Sequence, residues 1–302
     1  MTTGASSKTR RFFPYPIQSR PVMKRPIFKV RKTVMPGFGI TMGCTLLYLT
    51  VIVALPLFAL IMKTASLGFA DFWAIISSPR AVATFKLTIL TSAAATVFNA
   101  LFGLLMAWVL VRYEFPGKRL LDAAVDLPFA LPTAVAGLAL VTVLSRNGWI
   151  GQYTEPLGLY LAYTPAGIII AMAFTSIPFV IRTVQPVLED LNHDVEEAAE
   201  TLGANPLQVF AHVIWPMILP AFLAGSALSF ARGLGEFGAI VFISANLPFK
   251  TEVTSLLVFV RLDEYEYPAA AALAMVMLLM AFAMLLITNL MQARQLRYAE
   301  RN

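Results

Sequence analysis

The sequence is dominated by long apolar runs separated by short polar stretches. Six such segments occur, at residues 37–62, 87–111, 121–144, 164–184, 217–244 and 268–290. A run of about 20 apolar residues is the length that crosses the hydrocarbon core of a bilayer. Only 13% of the residues are charged, against about 25% in soluble domains. The pattern therefore predicts an all-α integral membrane protein with six transmembrane helices.

The distribution of Lys and Arg predicts the side on which each loop lies, because cytoplasmic loops carry the excess of these residues. Six crossings place both termini on one side. With the N-terminus inside, sixteen of the 23 Lys and Arg are cytoplasmic and six are outside, with Arg232 left within a segment. Both termini are therefore predicted to be cytoplasmic, and residues 291–302 to form a short cytoplasmic tail.

Residues 1–36 have a different composition. Nine of the Lys and Arg fall within the first 32 residues, where no acidic residue occurs, and five prolines are spread among them and the residues just after. Such a stretch is too polar to enter the bilayer and too rich in proline to form one helix. We expect a flexible cytoplasmic extension attracted to anionic membrane lipid, not a nucleic-acid-binding face. The same composition is also that of an organelle transit peptide.

The third and fifth segments contain helix breakers. The third carries Pro128 and Pro132, and the fifth is rich in glycine. Breakers at membrane depth are tolerated where neighbouring protein or a water-filled cavity satisfies the freed backbone groups, so both segments are predicted to face protein or a pathway. The fifth segment also has a small residue at every fourth position, which favours close helix packing: Ala221, Gly225, Ser229 and Gly233.

The stretch 246–267 mixes charges with a short apolar run. It is too short to span a bilayer, and we expect an outer loop with a short helix at the membrane interface.

The polar stretch 189–216 predicts a helix, a turn and a second helix. The first has an apolar stripe at Val195, Ala198, Ala199 and Leu202, with acidic residues in its first turn, where the helix dipole favours them. Gly203 is predicted to end this helix in the left-handed conformation. Asn205 followed by Pro206 is typical of the cap and first residue of the next helix.

This loop resembles the EAA loop of the binding-protein-dependent ABC importer permeases. Their pattern is Glu-Ala-Ala, three residues, Gly, nine residues and Ile-x-Leu-Pro. Five residues here match it: Glu197, Ala198, Ala199, Gly203 and Pro216. Val213 is a conservative departure and Trp215 a larger one. The resemblance implies that the loop, with Ala204 at its elbow, docks on an ATPase subunit and transmits its movement to the pore.

Other stretches are similar to the CysT-type sulfate/thiosulfate permeases within that family. They begin at Gly103, Asp126, Ser229 and Lys250, and the similarity runs from about Met35 to Leu290. Molybdate and tungstate permeases share much of the segment around Gly235, which leaves another oxyanion as the alternative substrate. The resemblance thus implies that residues 37–290 form a six-helix ABC transporter domain.

The resemblance also implies partners. They are a pair of ATP-binding subunits that hold ATP and Mg, a homologous CysW-type permease and an extracytoplasmic sulfate/thiosulfate-binding protein. The location implied is the bacterial inner membrane, with the chloroplast envelope as the alternative.

Arg232 and Glu236 lie four residues apart within the fifth segment, and hence on one helix face. Ionisable residues at membrane depth are rare and by default suggest function. One hypothesis is that Arg232 supplies positive charge along an oxyanion path that also includes Ser229, with Glu236 holding it. The other is a purely structural pair. Asp126 is an alternative partner for Arg232, and Arg182 is placed near the inner mouth.

The sequence contains no phosphate-binding G-x-x-x-x-G-K-[ST] loop, and the G-x-G-x-x-G at 233–238 lies in an apolar segment without a preceding strand. ATP hydrolysis is therefore expected in a separate subunit, and no cofactor is expected in this chain. A membrane enzyme would need a cluster of catalytic or metal-binding groups. An ion-coupled secondary transporter would be expected to carry repeats and midplane carboxylates. Neither pattern is evident.

Overall fold

The computed structural model of the chain describes residues 38–299, and within that range every regular element is helical. A chain in lipid must satisfy its backbone groups internally, and a helix does so within one segment. The predicted all-α class is confirmed. The predicted extension at 1–36 lies outside the described residues.

The first of two compact units is described from Phe38 to Ala54. It consists of α1 (Phe38–Tyr48) and a π-helical stretch, Leu49–Ala54. Its side chains from residue 39 onwards are apolar for the most part and exposed, including Cys44. Exposure of such a surface is what a lipid-facing helix requires.

The second unit begins at Leu55. Its α-helices, in chain order, are α2 (Leu55–Ala65), α3 (Phe69–Ile76), α4 (Pro79–Arg112), α5 (Lys118–Val125), α6 (Leu127–Ala130), α7 (Thr133–Leu144), α8 (Gly151–Thr154), α9 (Pro165–Glu189), α10 (His193–Thr201), α11 (Pro206–Val209), α12 (Trp215–Leu234), α13 (Gly238–Ile243), α14 (Thr254–Asp263) and α15 (Tyr267–Ala299). A 3-10 turn follows α8 at Glu155–Leu157, and a π-helical turn joins α11 to α12 at Phe210–Ile214.

Five helical runs of the described chain are long and apolar enough to cross a membrane: Gly39–Ala65, Pro79–Arg112, Pro165–Glu189, Pro206–Leu234 and Tyr267–Met291. They coincide with five of the six predicted segments. The last continues as helix to Ala299, so the predicted boundary at residue 291 is not a helix end.

The third predicted segment, 121–144, is not one helix. It is divided among α5, α6 and α7, and the divisions fall at the two prolines, with Pro128 in the first turn of α6 and Pro132 capping α7. Proline cannot donate a backbone hydrogen bond and disfavours helix in the residue before it. The 12 residues of α7 span roughly 18 Å, short of the hydrocarbon thickness of about 30 Å.

The fifth predicted segment, 217–244, has different bounds in the structure. The helical run begins at Pro206, so the second helix of the loop continues into the membrane helix through the π-helical turn. It ends at Leu234, and α13 starts only at Gly238. The glycines at 233, 235 and 238 explain the break, because glycine weakens a helix interior.

Helices α4, α9 and α12 pack side by side and form the core of the second unit. A Cβ on Gly103 of α4 would lie 2.9 Å from Val180 Cβ, and one on Gly225 of α12 would lie 2.9 Å from Val180 Cα. A Cβ on Gly233 would lie 3.3 Å from Ser92 Oγ. The prediction that small residues of the fifth segment serve close packing is confirmed at Gly225 and Gly233.

The third and fifth predicted segments pack on each other through α7 and α13. A Cβ on Gly137 would lie 2.4 Å from the carbonyl oxygen of Ala239, and one on Gly238 would lie 2.1 Å from Thr133 Oγ1. Backbones approach this closely only where glycine replaces a side chain. Both broken segments therefore face protein, as their sequences predict.

The short helix expected within 246–267 is α14. Its apolar residues Leu256 and Leu257 are buried and pack with α4 and α15. The short helix is therefore present and packs on its neighbours, and its position at the membrane interface stays a prediction. An ion pair anchors the segment: Arg80 Nε and Nη2 donate to the two carboxylate oxygens of the buried Glu252, at 2.8 and 2.6 Å.

Candidate functional site

The first arm of the loop at 189–216 is α10. The side chain of Asn192 caps it by accepting a hydrogen bond from the Asp194 N–H at 3.1 Å. Asp194 and Glu196 occupy the first turn. A capped N-terminus with acidic residues in the first turn stabilises a short helix that is otherwise rich in exposed polar groups.

The elbow of the loop has the geometry predicted for it. Gly203 has φ +90°. Its N–H donates to Glu200 O at 2.9 Å, and the Ala204 N–H donates to Ala199 O at 3.1 Å. These two bonds are those of a Schellman motif, which ends a helix at a residue in the left-handed conformation. The elbow is thus fixed by backbone hydrogen bonds.

The second arm begins as the sequence predicts. Asn205 is its cap, and Pro206 follows in the first turn. Asn205 Oδ1 accepts from the Gln208 N–H, and Gln208 Oε1 accepts from the Asn205 N–H, each at 2.9 Å. This reciprocal capping box satisfies two backbone donors at the helix start. Both arms therefore meet the elbow with fixed directions.

The tip of the loop is exposed and apolar. Leu202 is 89% exposed and Leu207 is 76% exposed, on either side of Gly203. Ala199 and Ala204 are half-buried, whereas the four other matching residues of the motif are exposed: Glu197, Ala198, Gly203 and Pro216. The predicted stripe of α10 is therefore largely uncovered in the isolated chain.

Contacts with α4 hold the loop in place, and the sequence did not reveal them. Arg112, the last residue of α4, forms an ion pair with Glu196 of α10. Trp108, one turn earlier, packs edge-to-face on Phe210 with ring centroids 5.5 Å apart. Trp215 packs between Phe210 and Phe222, at 6.2 and 5.2 Å. The residue that departs most from the EAA pattern is thus part of an aromatic contact.

Arg232 and Glu236 form an ion pair, with Arg232 Nη1 2.7 Å from Glu236 Oε2. The Glu236 side chain is fully buried, whereas that of Arg232 is 32% exposed. Glu236 Oε1 also accepts the N–H of Ala239 at 3.0 Å, across the break between α12 and α13. The pair proposed from the sequence therefore exists. Glu236 is held by burial and by the Ala239 N–H, whereas Arg232 is partly exposed.

Asp126 does not pair with Arg232, which corrects the alternative drawn from the sequence. Its carboxylate accepts from Arg182 Nε at 2.8 Å and from Nη2 at 2.7 Å. Arg182 also donates to Asp122 Oδ1 at 2.6 Å and to Gln185 Oε1 at 2.7 Å. The guanidinium thus joins α9 to the start of the broken third segment. Arg182 is the nearer partner because α5 and α6 pack on α9.

Ser229 lies in a buried polar cluster between three helices. Asn99 Nδ2 donates to Ser176 Oγ at 2.9 Å and to Ser229 Oγ at 3.1 Å, and Ser229 Oγ donates to Ser176 Oγ at 3.1 Å. All three residues are at most 1% exposed. Buried polar groups are satisfied by such bonds, so Ser229 packs α12 against α4 and α9 in this chain.

The side chains described by the structure include no group of three or more His, Cys, Asp or Glu residues placed to share a metal ion. His193 and His212 are exposed loop residues. His193 Nδ1 lies 3.2 Å from Arg112 Nη1, and His212 Nδ1 lies 3.1 Å from Gln208 O.

The chain is similar in sequence to known transport proteins. Residues 99–296 match the family described as binding-protein-dependent transport system inner membrane component. The sulfate transport system permease protein CysT of Escherichia coli (strain K12) is 53% identical over 263 residues, which cover 87% of this chain and 95% of that protein. The proteins of the same description from Synechocystis sp. and, as probable, from Marchantia polymorpha are 48% and 46% identical over 255 residues, covering 84% of this chain and 89% and 88% of those proteins.

Solved structures share the fold. A chain of the bacterial alginate ABC transporter, in complex with an alginate pentasaccharide-bound periplasmic protein, superposes with a TM-score of 0.72 at 19% identity, covering 85% of this chain and 93% of that one. A chain of the methionine ABC transporter MetNI in an inward-facing form gives a TM-score of 0.56 at 14% identity, covering 76% and 99%.

Proposed function

The chain belongs to the family of binding-protein-dependent transport system inner membrane components, and on that premise we propose that it is the permease subunit of an ATP-driven importer of sulfate or thiosulfate. The oxyanion follows from the relatives, which carry the name of sulfate transport permeases at about half identical residues over most of both chains. The location proposed is the bacterial inner membrane, with both termini cytoplasmic.

The observation that carries the proposal is the rigid, exposed elbow of the loop. Leu202 and Leu207 project from a turn that backbone hydrogen bonds and a capping box hold in one shape. Exposed apolar side chains on a fixed scaffold are typical of a surface that a partner protein covers. The partner proposed is the ATP-binding subunit, which holds ATP and Mg, because this sequence has no phosphate-binding loop of its own.

Two further partners complete the proposed assembly. One is a second permease of the CysW type, and the other is an extracytoplasmic sulfate/thiosulfate-binding protein that delivers the anion. A solved relative in fold carries a periplasmic protein bound to its own substrate, alginate. Lipid surrounds the exposed apolar faces of the long helices.

Arg232 is proposed to line the path of the anion. It keeps 32% of its side chain exposed although its partner Glu236 is fully buried. A fixed positive charge lowers the electrostatic cost of moving an anion through low dielectric. Glu236 orients the guanidinium, whereas Ser229 lies in the packed core and serves assembly.

The decisive experiment is uptake of radiolabelled sulfate by a host that lacks its own sulfate permease, complemented with this chain and its partner subunits. Restored uptake that requires the ATP-binding subunit, and that thiosulfate inhibits in competition, is the expected result. The matched control is the same host with the ATP-binding subunit left out. Strong competition by molybdate with weak competition by thiosulfate would assign the chain to the other oxyanion class, and no restored uptake would refute the proposal.

A further inference from the structure

The last turn of α4 contacts both arms of the loop. Arg112 meets the first arm: it forms an ion pair with Glu196 and lies within 3.2 Å of His193 Nδ1. Its guanidinium carbon lies 5.2 Å from the centre of the Trp108 ring. Trp108 in turn contacts Phe210 on the second arm. The end of α4 therefore contacts the first arm through Arg112 and the second arm through Trp108.

The ion pair of Arg112 is enclosed rather than solvated. The side chains of Arg112 and Glu196 are 13% and 17% exposed. The neighbouring pair of Lys118 and Glu114, in contrast, leaves Glu114 87% exposed. Exposed pairs contribute little because solvent screens them and their side chains are free to move. An enclosed pair that is also stacked on an aromatic ring holds its two elements in one geometry.

An ion pair also fixes the far end of α4. Arg80, in its first turn, forms the two-bonded ion pair with the buried Glu252 ahead of α14. Thr88, two turns further along, has its Oγ1 within 3.0 Å of Thr254 Oγ1 and accepts the Thr254 N–H at 2.9 Å. The helix thus has a side-chain ion pair at each end, 32 positions apart in sequence.

Among the three core helices, α4 is the one suited to act as a rod. Its 34 residues span about 51 Å as one helix. Proline occurs in α4 only at its first position, whereas α9 contains Pro178 and Pro186, and α12 contains Pro220 and follows a π-helical turn. Prolines and π-helical turns are the usual places where helices bend.

We propose that α4 is the lever that links the loop to the opposite end of the molecule, and that Arg112 is the positioning residue that fixes the loop to this lever. The inference rests on the proposed function, since it assumes an ATP-binding subunit at the elbow. When the elbow moves, the enclosed pair carries α4 with it, and α4 moves the α14 segment through Arg80 and Glu252. Because coupling between two sites is reciprocal, the same contact carries the signal of a docked binding protein back to the ATP-binding subunit.

The test uses the complete transporter in liposomes, with and without its binding protein. Arg112→Gln is compared with Lys118→Gln, a matched loss of one positive charge six residues later. We expect Arg112→Gln to reduce both the stimulation of ATP hydrolysis by the binding protein and the sulfate carried per ATP by about tenfold, within the range found for positions between coupled sites. Lys118→Gln is expected to leave both ratios unchanged.

A crosslink tests the lever itself. Cys44 is the single cysteine of the chain, so Cys44→Ser provides a cysteine-free background for Arg112→Cys with Glu196→Cys. The uncrosslinked double variant is expected to be uncoupled like Arg112→Gln. Joining the two thiols with a short bifunctional reagent should restore stimulation and uptake, because the loop and α4 again move together. If Arg112 only packs the loop and has no part in coupling, the crosslink should not restore stimulation or uptake.

Three outcomes would overturn the inference. The first is an unchanged stimulation ratio in Arg112→Gln, and the second is loss of the ATP-binding subunit on purification of that variant, which would make Arg112 a docking residue. The third is a crosslink that blocks transport, which would mean that the loop and α4 separate during the cycle. A wrong substrate assignment would appear differently, as normal stimulation of the wild-type complex without sulfate uptake.

Discussion

At the scale of single residues, the arrangement around Glu236 shows which member of a membrane ion pair is fixed. A carboxylate that is fully buried must have its charge and its lone pairs satisfied by protein. Arg232 supplies the charge and the Ala239 N–H supplies a hydrogen bond. Arg232 keeps an exposed part that can face an anion. In the proposed path of the anion, Glu236 is therefore the support and Arg232 the group available to the anion.

Replacing Arg232 separates these two roles. Arg232→Met leaves the Glu236 carboxylate buried without its partner, and breaking a buried pair in this way costs roughly 3 kcal/mol. We expect a lower yield of assembled complex and no uptake. Adding Glu236→Gln removes the unpaired charge, so assembly should return, while uptake should stay low because the positive charge is still missing. Size-exclusion chromatography and sulfate uptake provide the two measurements.

The single variant Glu236→Gln serves as the control, since it keeps Arg232 and removes only its anchor. If the double variant recovered transport together with assembly, the pair would be structural and Arg232 would not belong to the path.

At the scale of elements, the elbow of the loop was predictable because its signals are local. Asn205, Pro206 and Gly203 lie within four residues, and each acts on the backbone next to it. The division of the third segment was only half visible. Pro128 and Pro132 marked it as irregular, but the high hydropathy of the whole stretch favoured one continuous span. The two prolines interrupt the helix in spite of this hydropathy. The short helix α7 that results is covered by α13, on which it packs.

Substitution of Gly203 tests the elbow. Nothing lies within 4 Å of the position that a Cβ would occupy, so only the backbone conformation opposes a side chain. A β-branched residue at φ +90° is strained by about 1 to 3 kcal/mol. Gly203→Val should therefore displace the tip and lower both co-purification of the ATP-binding subunit and stimulated hydrolysis. Ala199→Asp should do the same, because it places a charge on the half-buried side of α10.

Gly158→Val is the matched control. Gly158 has φ +79° and likewise nothing within 4 Å of a Cβ, but it lies in the loop between α8 and α9. It carries the same backbone strain without touching the elbow, so recovery of the ATP-binding subunit should stay normal. Equal losses in the two glycine variants would trace the defect to general instability and refute the docking role of the elbow.

At the scale of the whole molecule, the contacts that tie distant segments together could not be predicted from one sequence. Arg80 and Glu252 are 172 residues apart, and Arg112 and Glu196 are 84 apart. A charge in an apolar chain signals that a partner exists, but many acids satisfy that requirement equally until the helices are packed. Its position in an apolar segment made Asp126 a reasonable partner for Arg232. Because α5 and α6 pack on α9, Asp126 pairs with Arg182 instead.

Topology is the remaining property of the whole molecule, and labelling of single cysteines in the Cys44→Ser background can determine it. Arg119, Asn147 and Asn205 are all exposed positions. The broken third segment lies between the first two, and the single long helix α9 lies between the last two.

If the broken segment crosses the membrane as a unit, an impermeant thiol reagent added outside should label Asn147→Cys alone. Arg119→Cys and Asn205→Cys should react only after the membrane is permeabilised, because the excess of Lys and Arg predicts that both positions are cytoplasmic. Labelling of both Arg119→Cys and Asn147→Cys from the same side would mean that α5 to α7 form a re-entrant segment. The chain would then cross five times, and its termini would lie on opposite sides of the membrane.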